Sequence, residues 1–457
     1  MKHAPMHDDF SYQAFDALYE SHFANRIALP RVRHVNIETH IAEIKNWSWV
    51  QVEEVGQSFS DRSIYLVTVG SGNTSLFAWS QMHGDESTAT ASIFDFLFML
   101  NALPENERKA CLDEVTFHFL PMLNPDGAEV NTRYNAQGID INRDARNLQS
   151  PEGRLLHSLL NRFSPDYAFN LHDQSPYYGA GKRGKPAILS FLAPPMDAGR
   201  QCPPHRERAM ALISHYVNRL TNLIPECMGR YDDTYSPIAF GDYATQSGAS
   251  CILIESGAHD TSDKRELARR LNVWLLFQTL KWVNNTSTQY STRAYLNLPQ
   301  NAEDHMTDLL IKGVKVKAGS KMFSLDMAID FQRHNTGCIR ELGDLGDLAG
   351  FITIQASELA YQTGQVFNVV EPFTLSDSVY FSFLLRGVLF FHDPENVMEI
   401  QTCLPVLTLS QLNKDNNLPK RHKKQVNFLL CDECTVRYVV LHGRPYSLQE
   451  SITPLFV

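Results

Sequence analysis

The sequence predicts an α/β protein with a mostly parallel central sheet, followed by a second, β-rich domain. Three observations carry this. From Ile64 onward, short β-rich runs alternate with longer helical patterns, as in strands joined by crossover helices. A polar stretch, Asn284-Asn285-Thr286-Ser287-Thr288-Gln289, then interrupts the rhythm like a linker. Beyond it, β-type runs are separated by Gly-Asp, Pro and Asn punctuation.

The predicted elements follow in order. Residues up to about Trp49 mix short helical patterns with polar stretches and form a lead-in to the sheet. The predicted strands are Ile64–Val69, Leu76–Ser80, Val115–Leu120, Tyr167–Leu171, Ala187–Leu192 and Cys251–Ile254. The helical candidates between and after them are Ser87–Leu103, Glu152–Phe163, His205–Leu223 and Asp263–Asn284. In the second domain, Ile311–Val316, Phe351–Gln355, Gln365–Val370, Val379–Leu385, Val388–Phe391 and Thr435–Leu441 read as strands. Asn413 to Lys424 reads as a charged, solvated loop.

A chain of 457 residues exceeds one ordinary core, so the predicted domains are residues 1–285 and 286–457. The formal net charge of -10 argues against a general nucleic-acid binder, which needs an excess of Lys and Arg. Met1 to Asp9 lack an apolar core, so no secretory signal is expected. The most apolar helical run, Ser92 to Leu103, is too short to span a bilayer and contains Asp95, so no membrane segment is expected. The eight cysteines are dispersed, mostly in apolar surroundings, as in a protein with reduced thiols, and a cytoplasmic location is expected. Cys431-Asp432-Glu433-Cys434 is one C-x-x-C without the second pair that a structural zinc needs.

Ligands of parallel α/β sheets collect at the carboxyl ends of strands. His83, Asn124, His172 and Glu255 each fall at or just after such an end. Catalytic zinc takes three protein ligands, with His and carboxylate as usual donors. His83 and Glu86, spaced His-x-x-Glu at a strand-to-helix turn, are able to converge on one ion, and His172 supplies a distant third ligand. Hydrolysis then needs a base to take a proton from the attacking water and pass it to the leaving amine. Glu255 ends an almost wholly apolar strand, where a carboxylate is costly unless paired or functional. Arg133 and Arg143 offer fixed cations, able to bind a carboxylate bidentately or to steady an oxyanion. Surface ion pairing is the bland alternative for both arginines.

The order His83 and Glu86, Asn124-Pro125-Asp126-Gly127, Arg133, Gly138-Ile139-Asp140-Ile141-Asn142-Arg143, His172 and Glu255 resembles the zinc carboxypeptidase family typified by the pancreatic enzymes. The resemblance covers roughly Ile64 to Asn284. It implies one Zn2+ held by His83, Glu86 and His172, with Glu255 as general base. It further implies that Arg133 polarises the scissile carbonyl, while Asn142 and Arg143 grip a terminal carboxylate. The implied fold is a mixed eight-stranded sheet between helices. The family's substrate-capping tyrosine corresponds by position to Tyr235, with Tyr231 and Tyr243 as nearby competitors.

The implied substrate is a peptide with a free carboxylate, cleaved by a metallocarboxypeptidase. An N-acyl amino-acid substrate is the alternative, because deacylases such as aspartoacylase and succinylglutamate desuccinylase share the ligand pattern and also carry a β-rich C-terminal domain. Asn124-Pro125-Asp126-Gly127 and the late position of Glu255 favour the peptidase. A binding protein without activity is a third reading, opposed by the complete set of ligands and base. Side-chain preference stays open: Lys182, Arg183 and Lys185 would attract acidic substrates, whereas Asp242 would favour basic ones. The C-terminal domain is free to cap the cleft, to join two copies into a homo-oligomer, or to stabilise the fold.

Overall fold

Two units divide the chain, one spanning Met1–His259 with Lys264–Ala302, the other Glu303–Val457 with Asp260–Asp263. The computed structural model describes all residues except 1–10, 23–26, 183, 263, 286–290, 334–335, 413–417, 434 and 457. The amino-terminal stretch read for a signal, Thr286 to Gln289 of the linker, Arg183, the start of the loop at Asn413, and Cys434 therefore lie outside the described residues.

In the first unit, helices α1 (Tyr12–His22) and α2 (His34–Ile44) precede strands β1 (Val50–Gln57), β2 (Ser63–Gly70) and β3 (Thr74–Ser80). Helices α3 (Thr88–Ala102) and α4 (Glu105–Leu112), strand β4 (Val115–Leu120), and helices α5 (Pro125–Val130) and α6 (Pro151–Phe163) follow. Next come β5 (Tyr167–Asp173), β6 (Gly179–Ala180), β7 (Leu189–Leu192), α7 (Pro204–Leu220) and β8 (Met228–Arg230). Helix α8 (Phe240–Gln246), β9 (Ser250–Ser256), α9 (Glu266–Asn284), α10 (Arg293–Leu296) and β10 (Asn301–Ala302) complete the unit.

Among the described residues, eight strands form one mixed sheet in the order β1-β2-β4-β3-β5-β9-β7-β8. Its centre, β4-β3-β5-β9, is parallel, while β1, β2 and β7 join antiparallel. The central strands read as near-continuous apolar runs because both faces are covered: every residue of β9 is buried. One face packs against α3, α7 and α9 around Phe94, Phe117, Phe169 and Tyr216. The other packs Phe77, Trp79, Leu156 and Phe240 beneath α6 and α8.

Helix α3 is buried from Thr88 to Leu100, as a helix apolar on all sides must be. Its one acid, Asp95, is met by Arg269 Nε and Nη2 at 2.6 and 2.9 Å and by the Tyr19 hydroxyl at 2.7 Å. The lead-in is thus part of this core, with Phe15 of α1 set 5.1 Å from the Trp274 ring of α9.

The boundary between the units falls at Ala302 and Glu303, not at residue 285. The cause is visible in the packing of the intervening segment. Tyr295 N donates to Ser214 Oγ of α7 at 3.0 Å, Arg230 N donates to Pro299 O at 2.8 Å, and β10 pairs with β6.

The second unit is β-rich. Its largest sheet centres on Met306–Ala318, which pairs antiparallel with Lys321–Asp330 and parallel with Ala349–Gln355. One predicted strand is a helix instead: Val379–Leu385 lies within α11 (Asp377–Leu385). Ser376 Oγ accepts from Val379 N at the helix start, and Tyr380, Phe383 and Leu384 face the core. Among the described residues no helix is long and apolar enough to cross a membrane. Cys431 and the other described cysteines are free thiols.

Candidate metal centre and active site

The site is assembled where the central strands end. Strand β3 stops at Ser80, and the chain turns through His83 and Glu86 into α3. The turn is held from behind by Asn124, whose Nδ2 donates to Met82 O at 3.2 Å while its Oδ1 caps α5 by accepting from Gly127 N at 2.9 Å. Gly84 is required there, because a Cβ would lie 2.0 Å from the carbonyl carbon of Gly127. Asn124-Pro125-Asp126-Gly127 therefore works as a brace for the ligand turn.

His83, Glu86 and His172 converge, with one donor atom from each lying within 4.8 Å of the others. His83 Nδ1 and His172 Nδ1 approach the two oxygens of Glu86 at 2.6 and 2.7 Å. All three residues are buried. Two imidazoles and a carboxylate on one point are the donor set that zinc takes. Asp140 lies 3.1 Å from His83 Nε2, and accepting from that nitrogen leaves Nδ1 its lone pair for a metal. Burial opposes charge on His83, but Glu86 and Asp140 together raise its pKa to about 9. Burial likewise opposes ionisation of Glu86, yet the two histidines hold its carboxyl well below the usual range. His172 is pushed down, by burial first.

Glu255 reaches the group through β9. The parallel pair β5–β9 sets His172 opposite Glu255 and Asp173 opposite Ser256. Glu255 is 7% exposed, and among the described residues its carboxylate has no hydrogen bond or ion pair. Burial, then the charge of Glu86, pushes it up to about 8.

Arg133 approaches the same point, with Nη1 at 3.2 Å from His83 Nδ1 and 3.6 Å from Glu86, and Nε donating to Asp140 at 2.9 Å. Asn142 is buried, and its Oδ1 accepts from Phe240 N at the start of α8 at 3.0 Å, which leaves the amide nitrogen as its donor. Arg143 is exposed, with Nη1 donating to Asn142 O at 2.8 Å.

Tyr235 lies half-buried in the irregular segment after β8. Four residues earlier, burial, then the charge of Glu255, keeps the Tyr231 phenol protonated, with Tyr178 and Glu86 adding to the effect. Lys185 pairs with Glu226 at 3.5 Å. Asp242 accepts from Ser236 N at 2.9 Å, and burial pushes it up to about 6.

Two residues that sequence reasoning left without a role take part. Asp140 fixes His83 and Arg133 together. Asp173 accepts from Thr88 N and Oγ1 at 3.1 and 2.8 Å, while its backbone N donates to Glu86 Oε2 at 3.2 Å. The position of Asp173 directly after a candidate ligand was the available signal.

The family model described as zinc carboxypeptidase matches residues 38–173. An uncharacterised protein of Zymomonas mobilis is 25% identical over 196 residues, which is 42% of this chain and 48% of that protein. Carboxypeptidase 2 of Trichophyton rubrum is 30% identical over 139 residues, 28% of this chain and 25% of that protein. This chain thus spans less than half the length of these curated relatives. The crystal structure of a metallo-carboxypeptidase from Burkholderia cenocepacia is similar with a TM-score of 0.44 at 18% identity, over 55% of this chain and 69% of that one. The matched residues contain all three converging donors together with Arg133, Asn142 and Arg143, so the similarity to the zinc carboxypeptidase family model falls on the segment that builds this site.

Proposed function

We propose that the chain is a zinc-dependent metallocarboxypeptidase that removes a C-terminal residue from a peptide, with Glu255 as general base. The observation that carries this reading is the pairing of Glu255 with His172 across β5 and β9, beside a complete set of ligands. When bound, zinc supplies the Lewis acidity that activates water and polarises the scissile carbonyl.

Each residue has a distinct task. Glu255 takes a proton from the attacking water onto its carboxylate and returns it to the leaving amine nitrogen. The Arg133 guanidinium, anchored by Asp140, faces the oxygen on which negative charge develops. Arg143, with the Asn142 amide beside it, binds the substrate's terminal carboxylate and so selects the last peptide bond. Tyr231, whose phenol is kept protonated by burial and then by the charge of Glu255, is our choice over Tyr235 for the phenol that donates to bound substrate.

Metal analysis combined with C-terminally varied peptides and N-acyl amino acids tests the reading. Release of a free C-terminal residue from a zinc-loaded chain supports it. Release of an acyl group alone, with peptides untouched, overturns it in favour of a deacylase.

A further inference from the structure

Gln81 stands two residues before His83 with a φ of 49°, in the left-handed region that side chains other than glycine enter at a cost. Its side chain is fully buried, and both polar atoms are engaged. Nε2 donates to Val32 O at 2.9 Å and to Gly84 O at 3.0 Å, and Oε1 accepts from Thr90 Oγ1 at 2.8 Å. Gln81 O accepts from Asn124 N at 3.1 Å. One amide therefore joins the segment before α2, the first turns of α3, and the carbonyl inside the ligand turn. Val32 N closes the loop by donating to Ser87 Oγ at 3.1 Å.

The opposite side of the turn is fixed by the contact between Gly84 and Gly127. The His83–Glu86 turn is thus held between that wall and the Gln81 amide. Without the amide, the buried carbonyls of Val32 and Gly84 each lose a donor, and the turn must shift or admit water to satisfy them. Metal affinity follows the orientation of the ligands, and loss of an outer partner weakens it typically by about 10–100-fold.

We propose that Gln81 is a positioning residue for the metal site: its amide locks the His83–Glu86 turn and so sets the affinity of the His83, Glu86 and His172 group for zinc, with the Val32 segment as part of the same scaffold. The inference rests on the metal-site reading of those three residues and not on the identity of the substrate.

The test is zinc titration of the full chain against a chromophoric chelator, in parent, Gln81→Gly and Gln81→Glu, at a temperature where circular dichroism shows the metal-free proteins folded. Gln81→Gly keeps the left-handed backbone without strain and deletes the amide. Gln81→Glu keeps the shape and removes the donors. The expected result is one zinc per parent chain and binding weaker by about tenfold or more in both variants. At zinc concentrations that refill the site, peptide turnover should return to the parental kcat. Should either variant fail to fold, Thr90→Val removes the partner of Oε1, together with that hydroxyl's contacts to Pro121 O at 2.7 Å and Ser80 Oγ at 3.0 Å, and leaves Gln81 itself in place; it should weaken zinc binding in the same direction. A folded Gln81→Gly that binds zinc as tightly as the parent overturns the proposal, as does a kcat that stays low with the site full. A parent that binds no zinc defeats the metal-site reading itself.

Discussion

His172 and Glu255 are register partners on the neighbouring parallel strands β5 and β9. Partners at one level of a parallel pair project to the same face, with strand axes about 4.8 Å apart. A candidate metal ligand and a carboxylate distant in sequence are thus held side by side by backbone hydrogen bonds, independent of loops. The family match ends at residue 173, so the sheet, through this register, is what joins Glu255 to the matched segment.

Glu255→Gln follows directly as a prediction. The amide keeps the volume of the carboxylate but cannot take the proton, and a positioned base contributes about 10²–10⁴-fold. Peptide turnover should fall by that factor while zinc stoichiometry remains that of the parent. A variant that hydrolyses peptide at the parental rate would remove Glu255 from the mechanism.

Arg143 should govern recognition of the terminal carboxylate. Arg143→Gln removes the charge and the planar fork, and a hydrogen bond to a charged group contributes about 1.5–3 kcal/mol. The kcat/KM for peptides with a free C-terminus should drop by roughly 10–100-fold. Discrimination against C-terminally amidated peptides should shrink in parallel. Equal discrimination in parent and variant would show that Arg143 binds something else.

The buried triad of Tyr19, Asp95 and Arg269 ties α1, α3 and α9 together, with Arg269 Nη1 also donating to Ile27 O at 2.7 Å. Asp95→Ala leaves the buried guanidinium with only the longer carboxylate contact to Glu266, 3.6 Å from Nη1, and breaking a buried pair costs about 3–5 kcal/mol. Tyr19→Phe deletes a single hydrogen bond and should cost about 1 kcal/mol. Denaturant unfolding of the first transition checks both. An Asp95→Ala loss no larger than that of Tyr19→Phe would mean that water or another group reaches Arg269.

That His83, Glu86, His172 and Glu255 come together was legible in the sequence, for identifiable reasons. His83, Glu86 and His172 stood out because their chemistry coincided with strand ends, and Glu255 because a carboxylate rarely closes an apolar strand without a task. Asp140 and Gln81 stayed hidden because their work is defined by partners far along the chain, and no residue type announces a left-handed φ at a glutamine. Tyr231 and Tyr235 lie in an irregular segment, where an offset along the sequence does not fix a position in space. The Val379–Leu385 run is apolar at nearly every position, so periodicity favoured neither helix nor strand. The Ser376 cap and Asp377 in the first turn were the deciding signals, and they precede the run rather than lie within it.

Acid should destabilise the first unit through two histidines. Burial, then Arg162, pushes His118 down to about 4, and burial, then Arg219, does the same to His215. Above about pH 6.5 both imidazoles are neutral in the folded and unfolded chains, and the unit keeps its full stability. As pH falls from about 6.5 through about 4, the unfolded chain binds protons that the folded one refuses, so stability is lost across that window. Allowing for solvent screening, each should contribute about 1–2 kcal/mol. His118 stacks on Phe163 with ring centroids 3.8 Å apart and meets Thr68 Oγ1 at 2.9 Å. His118→Phe keeps the stacking and removes the titration, so its stability should decline less steeply between pH 6.5 and 4 than that of the parent. An unchanged slope would show that His118 takes up its proton without unfolding.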